Sequence, residues 1–417
     1  MKYKSWFVIF GVIAVIIGCF GVFQRMTTGL INTNFGSIVP WGLWEAAYIY
    51  FIGLSAGSFL ISSLVYVFGV ERFEKIGRLS VFTAIVTLVC ALMSIWVGLG
   101  HMFRVWHVLV FPNFHSMMAV IIWLYSTYLT LLLAEFWLLM RVDFVRGRDL
   151  EGLRGTLCRL LALGSTDTSD DSAKKDRKIV KVLGTMGVPL AICFHGGVGA
   201  LFGVVAARPF WHSGMFPILF LLGALVSGGA LLVLISAIFQ EGLKENKAII
   251  LELGKGVFAL LLLDLLFQAS EMIIAFKGGI PGHAAGFLTM MAGKTAFVYW
   301  VFHIGVGAVI PILIFITGLR NNAHWVAFAC FCMVFGFLAV RFDIVVPGLS
   351  MEEVQGITHA FFSKRMTAYY MPSLMEWMVT IGIGGFGILL FSLGEVFLPL
   401  SHHLEVGNRA GYRMKRE

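Results

Sequence analysis

The sequence predicts an all-α polytopic membrane protein with ten transmembrane helices. Hydrophobic residues make up 59% of the 417-residue chain and charged residues only 13%, against about 25% charged in an ordinary soluble domain. Phe alone occurs 38 times, and the mean hydropathy is +0.89. A soluble fold could not cover that much apolar surface with so few charges. Apolar stretches of about 20 residues, the length of a helix crossing a bilayer, recur ten times in the chain.

The ten spans fall near 6–23, 44–69, 80–100, 116–140, 182–206, 215–239, 253–275, 295–318, 324–341 and 374–397. The first follows Lys2 and Lys4, but no small-residue cleavage site comes after its long apolar run, so it reads as an uncleaved helix. The chain divides into a first helix and outer loop (1–40), helices 2–4 (41–140), a cytoplasmic linker (141–181) and helix 5 (182–206). Helices 6–9 follow (207–343), then an outer loop (344–372) and helix 10 with a cytoplasmic tail (373–417). The linker is the one long polar stretch, and reads as a solvated tether that also fixes topology.

Ten spans place both termini on one side. The termini and the loops after helices 2, 4, 6 and 8 hold 23 of the 31 Lys and Arg residues, and the other side holds 8. Segment 141–181 alone carries ten, and without it the count is 13 against 8. Lys and Arg accumulate on the cytoplasmic side of membrane proteins, so both termini are expected in the cytoplasm. The net charge of +8 is therefore loop bias and not a nucleic-acid footprint, since no basic run is interleaved with base-stacking aromatics.

Cys19, Cys90, Cys158, Cys193, Cys330 and Cys332 have no CxxC spacing, which argues against an iron–sulfur or zinc site in this chain. Only His195 and His303 lie well inside spans, short of the histidine ladder of a multihaem cytochrome. The chain is therefore expected to carry neither haem nor an iron–sulfur cluster.

A charge in hydrocarbon costs at least a few kcal/mol, which makes intramembrane ionisable residues the first functional candidates. They are Glu45, Glu135, His195, Asp264, Glu271, His303, Arg341, Asp343, Glu376 and Glu395. Glu45, Arg341, Asp343 and Glu395 stand near span ends, where they are expected to reach the interface. Asp264 and Glu271 are seven apart on nearly one face of helix 7, with Gln268 between them. Such a stripe suits a hydrated proton path, and equally an interhelical network that locks the bundle.

A second constellation gathers at the outer ends of helices 2 to 5. Trp41, Trp44, Glu45, Tyr48 and Tyr50 open helix 2. His101, Arg104, Trp106, His107, Asn113 and His115 fill the loop after helix 3, and Arg208, Trp211 and His212 follow helix 5 with its His195. Interfacial aromatic belts account for part of this, but not for the histidines and arginines on the cation-poor side. A quinone head group needs this mixture: donors for two carbonyls, titratable groups for two protons, and aromatic walls.

The run Trp41-Gly42-Leu43-Trp44-Glu45-Ala46-Ala47-Tyr48 through Gly53 and Gly57 resembles the NrfD/polysulfide-reductase membrane-subunit family. So do Arg104-Val105-Trp106-His107 with Pro112-Asn113, His195-Gly196-Gly197-Val198-Gly199 with Arg208-Pro209-Phe210-Trp211, and Tyr370-Met371-Pro372-Ser373-Leu374-Met375-Glu376-Trp377. The last is similar to the ten-helix branch, which serves the Qrc menaquinone reductase and the Dsr sulfite-reduction complex. The resemblance implies two four-helix bundles, helices 2–5 and 6–9, with helices 1 and 10 outside them. Gly53, Gly57, Gly223, Ser227 and Gly228 would let backbones approach within each bundle.

It also implies a menaquinone pocket near the outer face of the first bundle, at Tyr48, Arg104, His107 and His195 with Trp44 and Trp211 around it. Other branches carry a His in place of Tyr48 and a Tyr near His195. Tyr48, His107 and His195 would hydrogen-bond the quinone, with Arg104 stabilising negative charge on the reduced ring. Glu45, Glu135, Asp264, Glu271, His303 and Glu376 would carry protons. The expected partners are a periplasmic iron–sulfur (ferredoxin-like) subunit, a multihaem cytochrome c and a molybdopterin-family subunit. The expected role is the quinone-interacting subunit of a respiratory oxidoreductase, favouring menaquinone reduction, with a menaquinol-oxidising Dsr-type subunit as the alternative. A secondary transporter and a passive membrane anchor are the readings from other classes. The orientation predicts that a single cysteine at Thr168, in a variant lacking the native six, reacts with an impermeant maleimide only after the membrane is opened; labelling in intact cells would contradict it.

Overall fold

The computed structural model describes residues 2–400 except 240–241, 353, 355, 361–362, 364 and the side chains of 2–4. Lys364 and the tail expected at 401–417 lie outside the described residues. The principal helices are α1 (Lys2–Thr28), α2 (Leu43–Tyr66), α3 (Glu74–Gly98), α4 (Met117–Gly147), α5 (Asp170–Gly203), α6 (Phe216–Ile238) and α7 (Lys247–Lys277). They continue with α8 (Val298–Ile316), α9 (Ala323–Leu349) and α10 (Leu374–Phe397). Among the described residues nine of these are long and apolar enough to cross a membrane. α7 is not one of the nine; its 31 residues coincide with the remaining expected span and carry Asp264, Gln268 and Glu271 within the apolar run.

The fold is an all-α membrane architecture of two four-helix bundles. α2 packs on α3 and α5, and α4 on α3 and α5; α6 packs on α7 and α9, and α8 on α9. α2 and α5 lie against α6, and α2 also against α9, which joins the bundles. α1 and α10 run along each other outside them, with α10 resting on α3 and α2. The face where α2, α4, α6, α8 and α10 begin is called the upper face below.

The close backbone approach at Gly57 and Gly228 lies between the bundles and not within each, which corrects the sequence expectation. A Cβ on Gly57 would stand 2.0 Å from the Ala224 carbonyl oxygen, and one on Gly228 2.6 Å from the Ser58 nitrogen. The reason is topological: α2 and α6 have their small residues on the faces that meet. Gly223 does serve its own bundle, since a Cβ there would stand 2.6 Å from Arg341 Nη2 of α9.

Segment 141–181 is largely helical. α4 continues to Gly147, a helix covers Gly152–Leu161, and α5 begins at Asp170, where Ser169 Oγ accepts from Ser172 N–H at 3.3 Å. An N-capping hydroxyl of this kind satisfies one of the free amides of a helix start. Arg141 fastens the turn, donating to Asp176 at 2.7 Å, to Ser165 and Ser172 hydroxyls at 2.7 and 2.6 Å, and to the Asp167 carbonyl at 2.8 Å.

α1 and α10 meet through glycine as well. A Cβ on Gly18 would stand 2.4 Å from Gly382 Cα, whereas nothing lies within 4 Å of one on Gly384. Overpacking of this kind costs about 1–3 kcal/mol. Gly382→Val is therefore expected to lower the thermal midpoint of the purified protein clearly, and Gly384→Ala to leave it unchanged. Equal midpoints for the two variants would contradict the observed pairing.

Candidate functional site

Three arrangements of polar groups stand out, two at the upper end of the first bundle and one inside the second. At the first, Glu45 Oε2 accepts from the Gly42 N–H at 2.8 Å and caps α2. Glu376, fully buried, caps α10: its carboxylate accepts from the N–H groups of Asn34 (3.1 Å) and Ser373 (2.9 Å) and from the Tyr370 hydroxyl. Tyr370 also accepts from the Leu43 N–H at 2.8 Å, so one phenol ties both helix starts. Burial, with Glu376 beside it, pushes the Tyr370 hydroxyl well above its ordinary pKa and keeps it a donor. Carboxylates suit helix N-termini, where free amides concentrate positive potential. Trp44 belongs to this knot: it is buried, and its Nε1 donates to the Glu376 carbonyl at 3.2 Å.

The second arrangement surrounds His195. Its side chain is fully buried on α5; among the described residues neither ring nitrogen makes a well-formed hydrogen bond, the Phe220 backbone carbonyl being the acceptor within reach. The ring lies 6.1 Å from Phe194 and 6.1 Å from Phe220 of α6. A Cβ on Gly53 of α2 would come within 3.7 Å of its Cε1, so His195 faces the junction of the bundles. Tyr125 Oη is also buried, with the Tyr48 hydroxyl as its one polar neighbour among the described residues; its ring lies 4.5 Å from Phe194 and 5.9 Å from Tyr48. Buried polar atoms are nearly always bonded, so orphans of this kind mark a place for a ligand or water.

Arg104 and His107 are exposed in the loop after α3, where His107 packs on Trp106 at 4.1 Å. Among the described residues they do not contact Tyr48 or His195. Trp211 is buried, stacks on Trp41 at 6.2 Å and donates to the Ile344 carbonyl at 2.8 Å, fastening the loop after α5 to α9. Glu135 is buried on α4, and its Oε2 has no partner among the described residues.

The third arrangement is a cavity of about 210 Å³ in the upper half of the second bundle. Phe210, Phe216, Phe220, Phe287, Met272 and Met290 give it apolar walls, and Asp264, Gln268, Glu271, Tyr299, His303, Arg341 and Asp343 give it polar ones. Gln268 Nε2 lies 2.7 Å from Asp264 Oδ2 and its Oε1 3.0 Å from His303 Nε2; His303 Nδ1 lies 3.0 Å from Asp343 Oδ2. Arg341 donates to the Phe220 carbonyl at 3.3 Å and stands 4.7 Å from that ring's centre. Glu271 approaches His283 of the helix Pro281–Ala292 to 3.3 Å.

Arg341 and Asp343 do not reach the interface, contrary to the sequence expectation; each is 2% exposed. α9 continues past them to Leu349, because Asp343 is bonded to His303 and the guanidinium has Phe220 beneath it. Glu45 is likewise buried, by its capping bond. Tyr125, Tyr299, His283 and Tyr370 were not singled out as site residues in the sequence. Tyr370 belongs to the Tyr370–Trp377 motif; the others carry no spacing signal, because their partners lie on distant helices.

The chain is thus a polytopic helical membrane protein with a polar cavity in one bundle and a buried histidine where the bundles join. The family profile described as polysulphide reductase, NrfD, matches residues 31–352, and the chain belongs to that family. It is 36% identical to a selenate reductase subunit from Mesobacillus selenatarsenatis, covering 96% of this chain and 95% of that one. It is 26% identical to the Hdr-like menaquinol oxidoreductase integral membrane subunit of Archaeoglobus fulgidus, over 87% and 85%. It is 22% identical to the menaquinone reductase integral membrane subunit of Nitratidesulfovibrio vulgaris, over 96% and 92%.

The capping geometry of Glu376 separates two roles. Glu376→Gln should cost about 1–3 kcal/mol, the scale of a buried charge-assisted hydrogen bond, seen as a lower unfolding midpoint, while turnover per folded complex stays unchanged. Loss of turnover at an unchanged midpoint would make Glu376 a proton carrier instead.

Proposed function

We propose that this chain is the membrane subunit of an anaerobic respiratory complex, oxidising menaquinol and passing its electrons to a partner reductase. The observation that carries the reading is the fully buried imidazole of His195, whose nitrogens make no well-formed hydrogen bond among the described residues, with the buried Tyr48–Tyr125 hydroxyl pair nearby. A menaquinol hydroxyl would supply the missing bonds: His195 accepts a proton as the ring is oxidised, and Tyr48 and Tyr125 bond the other oxygen. An imidazole suits that task because it ordinarily exchanges its proton near neutral pH. Each menaquinol releases two electrons and two protons. The electrons leave through an iron–sulfur subunit docked on the upper face, with the connection between α9 and α10 as the platform, and onward to a molybdopterin-family or multihaem partner.

The relatives favour this direction: a selenate reductase consumes electrons, and the archaeal relative is named for menaquinol. The resemblance to the ten-helix branch favours menaquinone reduction, and the relative named menaquinone reductase supports that second reading. Both use one pocket. Protons pass from it toward the second bundle, where Asp264, Glu271 and His303 line the cavity. The excess of Lys and Arg supports an orientation with the chain termini in the cytoplasm and the upper face outside the cytoplasmic membrane. Arg104 and His107, exposed beside that face, are placed to steer the head group or to meet the partner.

His195→Leu should lower menaquinol-driven electron transfer by at least about a hundredfold, the scale of losing a proton-transfer group, with the complex still assembled in the membrane. Retained electron transfer would sink the reading, and loss of the whole complex would make His195 a packing residue. A transporter would purify without redox subunits.

A further inference from the structure

The bonds around Gln268 count protons. An amide oxygen only accepts and an amide nitrogen only donates. With Nε2 toward Asp264 and Oε1 toward His303, Asp264 is the acceptor and His303 must bear a proton on Nε2. Turning the amide over reverses both ends: Asp264 then carries the proton, and His303 Nε2 accepts. Either way, the two facing atoms hold one proton between them, and the amide's orientation records which end has it. The same count holds at the other ring nitrogen, where one proton lies between Nδ1 and Asp343 Oδ2. The three titratable groups then carry one net negative charge, offset by Arg341 on the same cavity wall.

We propose that Gln268 is a proton relay, moving one proton between the Asp343 and Asp264 ends of this chain by rotation of its amide. Asp343 passes its proton to His303 Nδ1 while Nε2–H passes its own to Gln268 Oε1. The O-protonated amide makes a half turn, hands the proton to Asp264, and leaves its NH₂ donating to Nε2. Asp343 has lost one proton and Asp264 has gained one; His303 and Gln268 keep their number.

Three further observations point away from a static lock. Asp343 Oδ1 is buried on the cavity wall without a partner among the described residues, which leaves the chain an open end for exchange. A volume near 210 Å³ with polar walls suits water as the carrier. His303 also sits in a π-helix, Val298–Val309, a conformation otherwise found mostly as single turns at functional sites. Gly307 and Gly336 bring α8 onto α9 here, a Cβ on Gly336 being 2.3 Å from Gly307 Cα.

The relay serves the proton side of menaquinol oxidation and to that extent rests on the proposed function, but its test involves no quinone turnover. The full-length chain in lipid nanodiscs is followed by infrared spectroscopy of protonated carboxyl groups at neutral pH, with Asp264→Asn and Asp343→Asn assigning the bands. The relay predicts two components, one lost in each variant. Gln268→Leu removes the Asp264 component and Gln268→Glu, which can still accept and donate, keeps it. A wild-type chain without the Asp264 component, or its persistence in Gln268→Leu, overturns the proposal even if that variant is unstable. Failure here leaves the quinone reading standing, and an inert His195→Leu leaves the relay standing.

Discussion

A guanidinium cannot be left alone in hydrocarbon, and much of the second bundle follows from where Arg341 is put. Removing an ion from water costs several kcal/mol even after relaxation, unless bonds and opposite charge offset it. Here the offsets come from three helices. Gly223 of α6 has no side chain where the guanidinium lies, the Phe220 carbonyl accepts from it, and the Phe220 ring lies against its face, a favourable arrangement for a cation. Asp264 and Asp343 share its cavity. With the charge settled, α9 can run on to Leu349 and carry Asp343 to His303.

The same ring links the two bundles. Phe220 lies 6.1 Å from His195 and 4.7 Å from Arg341, so one aromatic side chain stands between the orphaned histidine and the polar cavity. The approach is possible because α2 and α6 cross at Gly57 and Gly228, where no Cβ could be accommodated. The proposed quinol site in the first bundle and the acid–amide–imidazole chain in the second are therefore neighbours, although Tyr48 and Asp264 belong to different bundles.

The spans were legible because hydrocarbon thickness imposes an apolar length that composition cannot disguise. All ten expected stretches coincide with long helices, α10 at the expected residues. Helix ends were less legible: α5 begins at Asp170 and not near 182, because a helix outside hydrocarbon can be polar and is set by its cap at Ser169. The stripe of Asp264, Gln268 and Glu271 could be read from helical periodicity, since all three lie on one helix. Its partners could not. His303, Asp343 and Arg341 come from other helices, and nothing local says which faces meet. Glu376 reads in the sequence as an intramembrane acid and Glu45 as an interfacial one, yet both are caps, a difference made by Tyr370 and the helix starts around it.

The central claim is that menaquinol gives up its electrons through this chain. The most direct test compares membranes with and without it, retaining the partner reductase, and follows oxidation of a soluble menaquinol analogue against a dye that reduces the partner directly. The account predicts that quinol oxidation disappears without the chain while dye-driven reduction persists. Undiminished quinol oxidation in its absence would contradict it.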